Sequence, residues 1–469
     1  MAQKNLTVGS PLRLIVAFTI PLLIGNLFQQ GYAVADAIVV GRMLGVDALA
    51  AVGASGSLQF LLFGFAMGNS AGLAIPISRA YGAGDLPAMR RAVAMGALLS
   101  AAVAVAILLV GTFGASTLLT WLGTPSALME QSTTFLVVLF SGALATVAFN
   151  YLSSVIRALG DSRTPLMFLI LATVLNVVLV IVFIGALGTG VGGAALATVI
   201  AQLVSVLLCM VLIWRKMPEL HLRRADWRID VAQLRQSAKL GLTLGFQMSI
   251  IAIGAAMLQF GINGLGTNAV AAFTSAMRVD QVAVIPLATV GVAMTTYVAQ
   301  NAGGRQWRRI RVGVFQALLL GVGMSVALGL MIGFFGTHLV RLFVGDGQEQ
   351  VVQMAHQYLL INSALYAVLA VLFVVRHVIQ GLGSTLAPTL AGVMELVARG
   401  IIGLFVVQHV GFIGVILAAP VAWVAALVPL LIAWYYHRRR LVADEKADEA
   451  KLLAVPGPSS ERCLEPCPA

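Results

Sequence analysis

The chain has 469 residues, of which 60% are hydrophobic and only 10% charged, with 48 glycines and a formal net charge of +11. Soluble domains carry about 25% charged residues, so a water-soluble fold is excluded, and so many glycines in so apolar a chain fit close helix packing in lipid. The three cysteines, Cys209, Cys463 and Cys467, exclude a disulfide framework, and they have neither C-x-x-C spacing nor a companion histidine pair.

Crossing the hydrocarbon takes about 20 apolar residues per helix. Residues 1–11 form a short polar N-terminus, and no cleavable leader is expected because the first apolar run is too long for a signal core. Spans are predicted at 12–40, 48–77, 92–113, 135–155, 166–187 and 191–214, which make an N-lobe over 12–215. A linker over 216–238 follows, with Trp227, Ile229, Val231 and Leu234 among charges; it reads equally as a segment lying on the membrane surface or as a solvated connector. Six more spans at 240–262, 269–298, 312–335, 354–374, 387–407 and 412–436 make a C-lobe over 239–437. Residues 438–469 are basic at first and then expected to be disordered. Pro21, Pro76, Pro286, Pro420 and Pro429 fall inside spans, where a missing N–H allows a kink.

The basic residues alternate from loop to loop. Arg79, Arg90, Arg91, Arg157, Arg163, Arg215, Lys216, Arg305, Arg308, Arg309, Arg311 and the Arg438–Arg440 run share one side, whereas the opposite loops offer Arg42 and Arg341. The positive-inside rule then places both termini in the cytoplasm of a plasma (inner) membrane. Charge spread in this way is a topology signal and a contact for anionic lipid headgroups, not a nucleic-acid surface.

The halves repeat. Leu44-Gly45-Val46-Asp47-Ala48 matches Leu265-Gly266-Thr267-Asn268-Ala269, Val155-Ile156-Arg157-Ala158-Leu159-Gly160 matches Val378-Ile379-Gln380-Gly381-Leu382-Gly383, and Gly190-Val191-Gly192-Gly193 matches Gly411-Phe412-Ile413-Gly414. Six spans per half is an even number, so both halves start on the same side. The fold class expected is therefore an all-α polytopic membrane protein of twelve transmembrane helices, two six-helix lobes related by a parallel pseudo-twofold with a cavity between them.

Ionisable groups inside a span cost about 2.5–3.5 kcal/mol each at the bilayer centre and need a reason. Asp36 completes a stripe with Asn26, Gln29 and Tyr32 at helical spacing, a face suited to a cavity. A carboxylate there can hold a proton, a sodium ion or a cationic substrate; the structural alternative is an aspartate bonded between helices. Asp280 lies two residues after Arg278, and Glu395 lies four before Arg399, where an ion pair on one helix face is the competing explanation. Asn150, Asn176, Thr198 and Gln259 are neutral polar residues within spans, where interhelical hydrogen bonding is their usual task. Neither a G-x-x-x-x-G-K-[ST] loop nor an H-E-x-x-H site occurs, and the six histidines form no metal-like pair. A non-enzymatic function driven by an ion gradient is the reading this leaves.

These features resemble the multidrug and toxic compound extrusion (MATE) transporters over nearly all of residues 10–437. The resemblance rests on Pro21 ahead of Asp36, then Val40-Gly41-Arg42 and Leu44-Gly45, on Tyr81-Gly82-Ala83-Gly84-Asp85, on Arg157-Ala158-Leu159-Gly160-Asp161 and on Ala299-Gln300-Asn301-Ala302-Gly303. It implies export of small molecules in exchange for protons or sodium, by alternating access of the two lobes. It also implies ion coupling at Asp36 with Asn176 and Thr198, cavity-lining roles for Gln29 and Tyr32, and bending of the first helix at Pro21. Asn150 is a further candidate for the cavity, and Asp280, Glu395, Arg278 and Arg399 are candidates for a C-lobe site. The chain departs from the family at Val180, where many relatives carry a second aspartate. With fewer oxygen ligands, a proton is the expected coupling ion ahead of sodium. Small-molecule substrates, cationic or amphipathic, and membrane lipids are the expected partners of a monomer needing no cofactor beyond the coupling ion. The rival functions are a flippase for a lipid-linked saccharide, whose cavity should be large and cationic, and a non-transporting membrane scaffold.

Overall fold

The computed structural model describes residues 5–344 and 347–453; Cys463 and Cys467 lie outside the described residues. The first half runs through α1 (Pro11–Leu44), α2 (Val46–Gly82), α3 (Leu86–Trp121), α4 (Ser126–Ser141), α5 (Ala143–Ala158), α6 (Arg163–Ile181) and α7 (Gly190–Lys216). The second half holds α8 (Val231–Asn263), α9 (Thr267–Gly303), α10 (Trp307–Val344), α11 (Glu349–Ala364), α12 (Tyr366–Gly381), α13 (Leu386–Ile401), the short α14 (Val407–Val410) and α15 (Phe412–Leu453). Among the described residues, ten helical segments are long and apolar enough to cross a membrane unaided, and the bent pairs α4–α5 and α11–α12, each counted as one span, bring the spans to twelve. Phe113, Phe315 and Phe334 stand exposed on the outer surface, an arrangement suited to lipid tails and not to water.

The repeat is visible in the irregularities of the helices. The two sharp bends, 51° at Gly142 and 52° at Leu365, occupy matching places in the halves. So do two π-helical turns, Val182–Ala186 after α6 and Ile402–Val406 after α13. Gly45 and Gly266, at the turns into α2 and α9, share a left-handed backbone with φ 88° and 91°. The five prolines within spans all lie inside continuous helices. The sharp breaks fall elsewhere, at residues whose neighbours carry no proline.

Each half packs its own apolar core, around Val40, Leu136 and Phe140 in the first and Tyr366, Leu359 and Ile416 in the second. The halves meet chiefly through α2 against α8 and α9. A Cβ on Gly68 would lie 2.4 Å from the Leu244 carbonyl oxygen, and one on Gly72 would lie 2.5 Å from that of Leu240. Gly245 returns the approach against Phe65. Glycine lets the two backbones touch, which is how helices associate without a hydrophobic gradient between them. Hydrogen bonds, ring contacts and backbone approaches that join the halves involve the helix portions nearest the basic loops; the deepest hydrogen bond, Asn26 Nδ2 to Thr289 Oγ1 at 3.0 Å, lies about halfway along α1.

Two segments are more ordered than the sequence predicts. The linker expected over 216–238 ends early, because Asp230 accepts hydrogen bonds from the Ala232 and Gln233 amides and starts α8 at Val231. Within it, Asp226 accepts the Arg223 amide and pairs with Arg90 at 3.8 Å, while Trp227 and Ile229 stand exposed. The tail expected to be basic at first and then disordered is helical as far as Leu453, and its remainder lies outside the described residues. Glu445 pairs with Arg311, and Asp448 accepts from Trp307 Nε1 at 2.9 Å and lies 3.5 Å from Arg305. Acids of the tail thus meet cations more than a hundred residues away, a pairing invisible to local composition.

Candidate functional site

The polar stripe on α1 forms because Gln29, Tyr32 and Asp36 recur three or four residues apart along one helix face. Gln29 is exposed, and Tyr32 and Asp36 are partly buried. Two helices of the same half face them. Tyr32 Oη lies 3.2 Å from Thr198 Oγ1 on α7, and Asn176 Nδ2 on α6 donates to the same hydroxyl at 3.0 Å. Thr198 in turn reaches the Ala194 carbonyl at 3.2 Å. The chain of hydrogen bonds ties α1, α6 and α7 together. Acceptors are left over: Asp36 Oδ1 and Asn176 Oδ1 are both shielded from solvent and have no hydrogen-bond partner. Buried oxygens without donors are suited to an added proton or cation.

Pro21, one turn below Asn26, removes the bond that would reach the Ala17 carbonyl, a local weak point in α1. Val180, one turn beyond Asn176, is 1% exposed and packs with Val40 and Ile184 in the apolar core. Asn150 on α5 is partly buried and donates to the Thr146 carbonyl of its own helix at 3.0 Å, so it is not joined to the α1 cluster by a hydrogen bond. Gln259 likewise pairs locally, with Asn263 at 2.9 Å.

The second half holds a separate polar network. Asp280 on α9 is buried and accepts a hydrogen bond from Tyr366 Oη at 2.6 Å. Glu395 on α13 makes a close pair with Arg376 of α12, both of them buried, and Arg399 stands 3.9 Å from its other oxygen. The pair Glu395–Arg399 expected from i,i+4 spacing is therefore the looser of two. Arg399 also lies within electrostatic reach of Asp280, which links the two acids. Arg278 is exposed and makes no ion pair among the described residues. Arg376 is the residue that sequence reasoning overlooks: the predicted span stops at 374, whereas α12 runs on to Gly381. The available signal was a lone arginine inside an apolar run, Val374-Val375-Arg376-His377-Val378-Ile379.

Two six-span repeats, with the partly buried Asp36 in one and the buried Asp280 and Glu395 in the other, define an integral multi-pass membrane protein of the transporter type. A family model described as MatE matches residues 21–182 and 243–406, one match in each half. The chain belongs to this family, the MATE multidrug efflux transporters. Among its relatives are the probable multidrug resistance proteins YpnP of Bacillus subtilis, 29% identical over 82% of this chain and 86% of that protein, and YoeA of the same organism, 27% identical over 84% and 86%. An FAD transporter of Shewanella oneidensis is 24% identical over 80% and 83%. Solved structures with the same fold include a MATE protein in a bent conformation, with TM-score 0.86 at 24% identity over 95% of this chain and 99% of the other. Another is a MATE multidrug transporter in an outward-facing conformation, with TM-score 0.85 at 24% identity over 95% and 99%.

Proposed function

We propose that this transporter exports small cationic or amphipathic organic compounds in exchange for protons, by alternating access of its two lobes, with both termini and the basic loops in the cytoplasm of a plasma (inner) membrane. One observation carries the reading: the Asp36 carboxylate has a shielded oxygen with no donor, one turn along the polar face of α1 from Tyr32, which the Thr198 hydroxyl links to an Asn176 whose oxygen is equally unpartnered. Such a group takes up an ion when one is offered and releases it when the surroundings change, which is what coupling needs. A proton requires one acceptor. Sodium requires several oxygens, and Val180 supplies none on the face of α6 that carries Asn176. On this reading Tyr32, Thr198 and Asn176 position the site, Gln29 and Asn150 line the path of the substrate, and Pro21 lets α1 bend.

In the second lobe Asp280 is the acid that remains free to exchange a proton, since only a hydroxyl bonds it directly, whereas Glu395 is held between two arginines. The excess of acid on the α1 face favours cationic cargo over the anionic flavin nucleotide named for one relative. The test is uptake into proteoliposomes holding the purified chain, with a cationic dye and FAD as alternative cargoes, under separately imposed proton and sodium gradients. Dye movement driven by the proton gradient in sodium-free buffer is expected. FAD movement alone, or dye movement that follows sodium alone, contradicts the proposal.

A further inference from the structure

The segment before α1 is built as a strap. Asn5 Oδ1 accepts from both the amide (2.9 Å) and the hydroxyl (2.6 Å) of Thr7, which curls the chain, and Gly9 turns it with a φ of 100° before Pro11 starts the helix. The curl offers Leu6 to the opposite half. Leu6 is 1% exposed and is packed with Ile15 among C-lobe side chains, including Tyr297, Val298, Ile310 and Val314 of α9 and α10.

Its backbone is held as firmly. The Leu6 amide donates to Gln300 Oε1 at 3.0 Å, and the Leu6 carbonyl accepts from Asn301 Nδ2 and Arg309 Nη2, each at 3.2 Å. Arg309 Nη1 also reaches the Gly9 carbonyl at 2.7 Å, while its Nε bonds Asn301 Oδ1 at 3.1 Å. Gln300 also donates from its Nε2 to the Ala158 carbonyl, at the end of α5, at 2.7 Å. One buried glutamine of the C-lobe therefore grips two points of the N-lobe chain. Among the described residues the ion pairs of the helical tail stay within the second half, and an open cleft of about 620 Å³ bordered by Asp448, Arg79 and Asp85 lies between it and the first.

From this we infer that residues 6–9 are a releasable latch, with Gln300, Asn301 and Arg309 as its keeper, which holds the basic-loop side closed and must let go in each transport cycle. The inference rests on the alternating-access reading above. It explains why a polar N-terminus outside the spans hides a leucine in the other lobe: polar contacts alone would exchange with water, and the leucine makes the closed state the favoured one. It also assigns work to the Ala299-Gln300-Asn301-Ala302-Gly303 run of the second half.

Two measurements on the full chain test it, in a background where Cys209, Cys463 and Cys467 are serine. First, spin labels at Arg163→Cys and Leu386→Cys, exposed at the starts of α6 and α13, report the separation of the lobes. Leu6→Gly and Arg309→Gln are each expected to raise the ratio of open to closed basic-side distances by about tenfold, as losing one buried leucine or a set of charged hydrogen bonds would. Second, a Cβ on Gly304 lies 3.6 Å from the Thr7 methyl and 2.9 Å from the Gly82 carbonyl oxygen, so Thr7→Cys with Gly304→Cys can be oxidised to a disulfide after a small shift at Gly82, with the reduced double variant as the reference for transport. The cross-link is expected to stop dye transport, and reduction to restore it. Full transport with the cross-link formed, or distances unmoved by both substitutions, overturns the latch. If distances in the labelled chain with an intact latch stay fixed under changing pH and cargo, alternating access itself is wrong, a result separate from failure of the latch.

Discussion

Gly82 and Gly303 sit back to back where α2 crosses α9, each against a carbonyl of the other helix. A Cβ on Gly82 would lie 1.9 Å from the Gln300 oxygen, and a Cβ on Gly303 would lie 1.9 Å from the Arg79 oxygen. The two glycines occupy equivalent places in the repeat, as do Arg79 and Gln300, so the crossing obeys the pseudo-twofold that relates the lobes. Close approach at this point seals the basic-loop ends of the helices. Nothing larger than a hydrogen fits, and the seal is as tight as backbone contact allows.

Gly82→Ala is therefore expected to pry the closed side apart. Overpacking of this kind costs about 1–3 kcal/mol, which shifts a two-state equilibrium roughly five- to 150-fold. The Arg163/Leu386 label pair should show the shift toward separated lobes, with dye efflux slowed. An unaltered distance distribution in Gly82→Ala would mean that this crossing does not set the conformational balance.

Asp36→Asn should abolish ion-driven efflux and leave the protein folded and inserted. The amide keeps the shape of the carboxylate and lowers the cost of placing the helix in lipid, yet it cannot pick up and release a proton. Expression, detergent-solubilised melting and dye binding should stay close to those of the unsubstituted chain while gradient-driven transport falls to background. Retained transport would remove Asp36 from the coupling step.

Arg376→Met tests the C-lobe network. Removing one partner of a buried ion pair costs about 3–5 kcal/mol because the other charge is left without compensation, and here Arg399 at 3.9 Å offers Glu395 only partial relief. The variant should melt markedly lower in detergent, and Arg376→Met with Glu395→Gln should recover part of the loss. Equal melting of the single and double variants would show that the pair is not coupled.

The spans, the repeat and the Asp36 stripe are legible in sequence because they follow from runs of apolar residues and from the 3.6-residue helical period, both local signals. The bend at Leu365 is not, since no proline or glycine marks it; it is visible only once its equivalent at Gly142 is known. The C-lobe network is misjudged for a similar reason. Arg399 is four residues from Glu395, and that spacing makes it the expected partner, whereas the tighter one, Arg376, comes from a neighbouring helix. Leu6 and the acids Glu445 and Asp448 look like parts of ordinary polar termini, and their meaning depends on residues about 130 to 300 positions away. Local pattern reports which face of a helix is polar; it does not report what that face meets.

The coupling ion offers the sharpest test of the site. Asp36, Asn176 and Thr198 present one carboxylate and two neutral oxygens, and the Thr198 hydroxyl is already engaged by Tyr32 and Asn176. A hard cation such as sodium wants more oxygens in a tight shell, so transport should persist when sodium is replaced by potassium and collapse when the proton gradient is dissipated. Val180 lies one helical turn from Asn176 and is packed against Val40 and Ile184. A carboxylate at that position would be buried, at a cost of about 2.5–3.5 kcal/mol unless an ion neutralises it. Val180→Asp is thus expected to create a demand for sodium: the variant should melt higher with sodium than with potassium, and its efflux should become sodium-sensitive. Val180→Asn, equal in size and uncharged, should show neither effect. If the unsubstituted chain stops transporting in sodium-free buffer with the proton gradient intact, the missing oxygen is supplied from elsewhere, and the proton assignment falls.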